Sequence, residues 1–199
     1  MSPAQVLERC YDTLKWRLMN GVFPSGQRLE AARLADDIHV SVTPVRDVLN
    51  RLTGEKLVVS VPGDGFYVPT LDEGALRDLL DWNMHLALHA LHSGENSNHQ
   101  LVAEDGGLSD IVDRADLFFR SLTAGLENGE FIRAMDSVSD RLHTMRMHDQ
   151  TVLGGTEEEL NAMEKAFATG DIRETAKRIR IYHHRRRAKL TAYMRHLRA

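Results

Sequence analysis

Three sets of residues have the types and spacing to do chemistry. The first is Thr43, Arg46 and Asn50, which follow Ser41 and Val42. They alternate with an apolar set, Val45, Val48, Leu49 and Leu52, spaced for one face of a helix. A helix polar at its N-terminal end suits a DNA major groove. Arginine there bonds guanine or phosphate, and threonine contacts phosphate or a thymine methyl. The second set is His85, His89 and His92, at i, i+4 and i+7. That is the spacing of a metal ladder, yet Leu76, Leu80, Met84, Ala87 and Leu91 form the apolar stripe on the opposite face. A solvated or interface face is expected, with adventitious nickel or zinc as the alternative. The third set is Asp116, Arg120 and the distant His183. Asp116 and Arg120 read as a surface ion pair worth a few tenths of a kcal/mol. Alternatively, Arg120 is a fork that receives a ligand carboxylate. His183 falls inside the stripe Ile172, Ala176, Ile179, Leu190, Met194 and Leu197, so it should point inward, as a hydrogen-bonded core residue or as a ligand.

These residues need elements to hold them. The patterns predict helices at 3–20, 30–37, 42–53, 72–93, 107–127, 129–149, 156–169 and 171–197, and strands at 56–60 and 65–69. Pro62-Gly63-Asp64-Gly65 is a hairpin turn between the strands. The helices at 30–37 and 42–53 are separated by little more than His39-Val40-Ser41, the connection of a helix-turn-helix. Ser41 or Thr43 can cap the second helix, and Pro44 near its start costs no internal bond. Arg33 and Arg51 are candidate phosphate contacts, and the hairpin forms a wing. The fold class expected is mainly α: an N-terminal winged helix-turn-helix over 1–70 and a C-terminal all-α helical bundle over 71–199. PTLDEG at 69–74 marks the boundary, with Asp72 as a cap. Segments 93–100 and 106–107 read as loop, and Thr156 with Glu159 as a capping box.

The chain has 199 residues and a net charge of −4, unevenly spread. Residues 172–199 carry ten Lys or Arg against the single acid Glu174, so the middle of the chain is acidic. The run HHRRRAK at 183–189 resembles a nucleic-acid patch. A solvated helix is expected instead, with neutralisation of the acidic middle or a dimer contact as alternatives. No apolar run approaches the ~20 residues of a membrane span, so a cytoplasmic protein is expected. Cys10, the one cysteine, lies on an apolar stripe and reads as a buried structural thiol. No phosphate loop, HExxH or Cys-His arrangement is present. An enzyme is therefore not expected, and the enzyme-class rival is an all-helical hydrolase using Asp116 and His183 as acid and base.

The segment FPSGQRLEAARLADDIHVSVTPVRDVLNRLTGEKLVVSVPGDGFYV, 23–68, resembles the DNA-binding domain of the GntR superfamily of transcription regulators. The matching residues are Gly21, Gly26, Leu29, Leu34-Ala35, Val40-Ser41, Thr43-Pro44-Val45-Arg46, Leu49, Leu52, Leu57-Val58 and Gly65-Phe66. Between serine and threonine the family usually has arginine, where this chain has Val42, and its wing tip is usually basic, where this chain has Asp64. The resemblance implies DNA contacts from Arg33, Ser41, Val42, Thr43, Arg46, Asn50, Arg51 and Gly65. After residue 70 the chain is similar to the FadR subfamily, whose helical domain binds a small effector and dimerises. DLFFRSLTAGLENGEF (116–131) and AFATGDIRETAKRIRIYHH (166–184) carry that likeness. It implies a homodimer on a near-palindromic double-stranded operator. It also implies repression relieved by a small organic acid, which changes the angle between the two DNA-binding domains. The implied effector residues are Asp116, Arg120, Asn128 and His183.

In that family one aspartate and three histidines often hold a metal under the effector. Here Asp116 matches the aspartate, the next position is Arg120, the third falls near Leu160, and the last is His183 after a one-residue shift. A stable divalent site wants three or four protein ligands, so no metal cofactor is expected at this degraded site. Zinc or nickel, with His143 or His148 as substitute ligands, is the alternative. The family's arginine and glutamate on the first helix of the domain are replaced by Asn83 and Ala87. A reused fold serving as a ligand-binding or protein-interaction module without DNA binding is the other alternative function.

Overall fold

The computed structural model describes residues 2–93 and 110–197. The expected loops at 94–100 and 106–107, and the expected helix start at 107 with Leu108, lie outside the described residues. The chain divides into two compact units, one of residues up to Leu71 together with Leu197 and one over Asp72–His196.

The first unit begins with α1 (Pro3–Met19), opened by a capping box in which Ser2 and Gln5 bond each other's backbone N–H. Next come β1 (Arg28–Leu29), α2 (Ala31–Ile38) and α3 (Val42–Gly54). α2 ends on His39 in the left-handed conformation, and the Val40 N–H bonds back to the Ala35 carbonyl at 3.0 Å. That tight reversal makes the short turn between α2 and α3. α3 buries Val45, Val48, Leu49 and Leu52 completely against Leu14, Leu34 and Ala35. Each buried aliphatic side chain contributes about 1.5–3 kcal/mol, so packing sets the rotation of α3 and hence which face it shows to solvent. Cys10 is 2% exposed, inside the same core.

The wing is β2 (Val59–Val61) and β3 (Gly65–Tyr67), paired antiparallel with Ser60 opposite Phe66. The Asp64 N–H bonds the Val61 carbonyl at 3.0 Å, closing a turn around Pro62-Gly63, and Gly63 has a φ of +78°. Proline then glycine is what a type II turn asks for at its two central positions. The strands are shorter than the 56–60 and 65–69 expected. A third strand, β1, pairs with β3 on the other side. At two residues it is too short to show a period-two pattern.

The second unit contains α4 (Glu73–Ser93), α5 (Ile111–Ser121), α6 (Gly129–Arg146), α7 (Asp149–Val152), α8 (Thr156–Ala168), α9 (Ile172–Arg187) and α10 (Leu190–Leu197). Asp72 accepts the Ala75 N–H at 2.7 Å and so caps α4 as expected. α4 packs on α6 and α9, α5 on α6, and α8 on α9. Three expectations fail. The helix expected to reach 127 stops at Ser121. The Thr156–Glu159 capping box does not form: Gly155 is the N-cap, Thr156 is inside the helix, and Glu159 is drawn to Arg185 and Arg186 at 2.9 Å. Two arginines offer the Glu159 carboxylate more than the single backbone N–H of a capping box would. The helix expected over 171–197 breaks after Arg187, which leaves Tyr193 bonded to Asp149. Among the described residues no helix is long and apolar enough to cross a membrane.

Candidate nucleic-acid interface and buried polar core

In the first unit, Ser41, Thr43, Arg46 and Asn50 are all exposed and Val42 is partly so. Ser41 is the N-cap of α3 by position, but its hydroxyl makes no cap bond. The first N–H groups of α3 therefore face outward with the positive end of the helix dipole, an arrangement that attracts phosphate. Arg46 and Arg33 are exposed and make no hydrogen bond or ion pair among the described residues. Their charge is available to a partner.

Arg51 differs. It lies about 140° around the helix from Arg46 at about 100° per residue. Its guanidinium sits 3.5 Å from the centre of the Tyr11 ring and within 3.5 Å of both Glu8 and Glu55. The structure thus gives Arg51 the job of fastening α3 to α1. At the wing tip, Asp64 accepts from the Tyr67 hydroxyl at 2.7 Å, and Arg28 from β1 reaches the Asp64 carbonyl at 2.6 Å. Arg28, in the strand overlooked in the sequence, thus places a cation at the wing tip, 3.8 Å from the Asp64 carboxylate. Gly65 is partly buried, and a side chain added there would meet Arg28.

In the second unit, Asp116 is 6% exposed and does not pair with Arg120. One of its oxygens accepts from Arg146, and the other lies 2.5 Å from His143 Nδ1. Burial alone would raise the Asp116 pKa, but Arg146 and His143 beside it outweigh burial and hold it below the usual range. Arg120 instead pairs with Asp136 at 3.3 Å and with Asp140. An effector carboxylate at Arg120 would have to displace those acids. Asn128 is the exposed N-cap of α6 and accepts from the Glu130 and Phe131 N–H groups at 3.1 Å. The four expected effector residues therefore do not converge on one point.

Arg146 is the residue the sequence reading missed. It is 2% exposed. Besides Asp116 it donates to the Tyr182 hydroxyl at 3.1 Å and to Asn83 Oδ1 at 3.3 Å, and its guanidinium lies 4.8 Å from the centre of the Phe119 ring. It thereby joins α4, α5, α6 and α9. Placing Arg146 on the face of α6 shared with Ser139 and His143, at i, i+4 and i+7, was open to sequence reading, but nothing in the sequence shows that the face is inward.

His183 points inward as expected and is fully buried, whereas His184 is exposed. Its Nδ1 lies 2.7 Å from the Ile179 carbonyl and its Nε2 3.0 Å from Asn83 Oδ1. Burial, together with the charges of Arg186 and Arg146, pushes its pKa down to about 3, so the ring is neutral at physiological pH. A neutral ring donating from Nδ1 needs a donor at Nε2, while Arg146 needs an acceptor. Both turn to the same Asn83 amide, so they compete for it. Asp116 and His183 are each bonded elsewhere, and the acid/base pairing considered for a hydrolase is not formed.

The basic run at 183–189 is only partly solvated: His184 and Lys189 are exposed, but its three arginines are paired with acids. Arg186 is 1% exposed and bonds Asp149 at 2.5 Å, Glu159 at 2.9 Å and the Tyr182 carbonyl at 2.9 Å. Arg187 pairs with Asp81 at 3.0 Å. Neutralisation of the acidic middle, the alternative reading, is what occurs. His85, His89 and His92 are exposed, as expected.

The metal implied by the family resemblance does not fit the residues present. Leu160 is buried at the third ligand position, and Arg120 serves acids. Among the described residues, the cluster with ligand spacing is Asp113, Asp116 and His143, whose ligand atoms lie within 4.8 Å of one another. Both Asp116 oxygens there are already bonded, one of them to a cation. Beside this cluster a polar cleft of about 430 Å³ is lined by Asp110, Arg114, Arg146, Gln150 and Glu157 among others.

Residues 7–68 match the sequence model for the gntR family of bacterial regulatory proteins. The Nta operon transcriptional regulator of Aminobacter aminovorans is 27% identical over 140 residues, covering 64% of this chain and 67% of that protein. The E. coli McbR/YncC structure aligns over 94% of this chain and 97% of its own, with a TM-score of 0.70 and 18% identity. A GntR transcriptional regulator from Rhodococcus sp. RHA1 aligns over 94% and 98%, with a TM-score of 0.72 and 15% identity. At these identities the two structures are alike in fold.

Proposed function

We propose that this chain, whose residues 7–68 match the gntR family of bacterial regulatory proteins, is a DNA-binding transcription regulator that acts as a cytoplasmic, homodimeric, ligand-responsive repressor without enzymatic activity. The observation that carries the DNA-binding mode is the outward face of α3. There Thr43, Arg46 and Asn50 surround a helix start whose cap hydroxyl is unbonded, and Arg33 stands nearby on α2. Arg46 and Thr43 read base edges and phosphates, Ser41 and Arg33 hold phosphates, and Val42 offers an apolar contact for a thymine methyl. The wing lies along the backbone with Gly65 and Arg28 leading.

The helical unit is of the FadR kind and takes a small organic acid. Its support is the polar cleft lined by Arg114 and Arg146, where an acid would compete with Glu164 for Arg114, and a Ser139 hydroxyl on the Arg146 face of α6 that is buried without a hydrogen-bond partner among the described residues. Asp116 and His183 then act from beneath, through Arg146 and Asn83. Arg120 and Asn128 have only peripheral parts, by virtue of their other bonds. An effector controls DNA binding only by preferring one of two conformations.

Hydroxyl-radical footprinting on DNA from upstream of the protein's own gene tests this reading. Two protected half-sites related by a near-palindrome are expected, with protection reduced by short-chain carboxylic acids. Protection of one unsymmetrical site would refute the dimeric mode. Protection indifferent to every acid in a panel of mono- and dicarboxylates would refute the effector class.

A further inference from the structure

Asp113, Asp116 and His143 bring ligand atoms within 4.8 Å of one another, and the Arg146 guanidinium is bonded to the central member, Asp116. Arg146 bonds Asp116 directly and reaches His183 through Asn83. His143 bonds the second oxygen of Asp116. The guanidinium contacts side chains from α4, α5 and α9 while belonging to α6, so it ties four helices together as a coordinated ion would. It carries a fixed positive charge that no accessible pH removes. A divalent ion placed on Asp116 would share one carboxylate with Arg146 in a buried core, where like charges repel strongly.

We propose that Arg146 is a built-in substitute for a divalent ion. Its guanidinium holds shut a latent metal site formed by Asp113, Asp116 and His143, and the helical unit folds without metal. The inference concerns the helical unit alone and stands whether or not the chain takes an organic acid.

The test compares the full-length protein with Arg146→Met, each without the surface ladder (His85→Ala, His89→Ala), which would otherwise take up ions weakly. Metal content is measured by mass spectrometry, and melting temperature with EDTA or with zinc, nickel or manganese. The Arg146-containing protein is expected to hold less than a tenth of an equivalent of metal, and its melting temperature should be unmoved by EDTA or by any of the three ions. Arg146→Met should melt lower in EDTA. It should then gain about 5–10 °C from at least one ion at a hundredfold excess over its Kd, with one ion bound per chain. Adding His143→Ala should abolish that gain. One tightly held equivalent in the Arg146-containing protein, with a melting temperature lowered by EDTA, would overturn the proposal, and this arm does not depend on the variant folding. A folded Arg146→Met that gains nothing from any of the three ions would also overturn it.

Discussion

Arg46→Ala weakens binding to the operator by about a thousandfold, while binding to unrelated DNA falls far less. A bidentate arginine–guanine pair contributes about 1–3 kcal/mol of discrimination. Two protomers each lose one, so about 4 kcal/mol in total, and each 1.4 kcal/mol is tenfold. The fold should not notice. Arg46 is exposed, without a hydrogen bond or ion pair among the described residues, and the buried face of α3 is made by Val45, Val48, Leu49 and Leu52. Circular dichroism and sedimentation should match the unsubstituted protein. Arg51→Ala is the contrasting control: it loosens α1 from α3, so its main effect falls on stability. Fluorescence anisotropy with operator and unrelated duplexes reads the first result, and equal operator affinity for Arg46→Ala would remove that residue from the interface.

Asp149→Ala destabilises the helical unit by about 3 kcal/mol, the lower end of the cost of breaking a buried ion pair, because Glu159 still faces Arg186 at 2.9 Å. Asp149 accepts two bonds from Arg186 and one from Tyr193. Arg186 is 1% exposed, so its charge cannot turn to water. For a chain of this size the melting temperature should fall by roughly 10 °C. The double substitution Asp149→Ala with Arg186→Met removes the under-compensated charge, leaves Glu159 to Arg185, and should recover part of the loss, since a buried pair replaced as a unit by apolar groups is often near neutral. A double variant as unstable as the sum of its parts would show that the network does not act as a pair.

The first unit was legible because its signals are local. The apolar spacing of α3, the short turn at His39 and the Pro62-Gly63 reversal each depend on residues close in sequence, so periodicity and turn chemistry found them. β1 escaped because two residues carry no pattern. The helical core was less legible because its polar residues are paired across long separations. Asp116 has a plausible partner four residues away in Arg120 but takes Arg146 instead, thirty residues on. Burial decides that choice: a carboxylate at 6% exposure needs a buried cation, and Arg120 lies on a more open face beside Asp136 and Asp140. The run at 185–187 was misread for the same reason. Nothing local reveals that Arg186 faces Asp149 and Glu159, although the excess of acid in the middle of the chain was a hint that basic partners were needed.

The most direct test of the central claim is fluorescence anisotropy of the purified protein with duplex DNA from its own upstream region, at about 50 and 200 mM salt, with unrelated duplex as competitor. The account predicts sequence-dependent binding that weakens steeply with salt, because each phosphate neutralised adds about 0.9 to the slope of log affinity against log salt. It also predicts that a preference for the upstream sequence persists at the higher salt. A folded protein that shows no preference at either salt would contradict it, and the outward face of α3 would then have to serve a partner other than DNA.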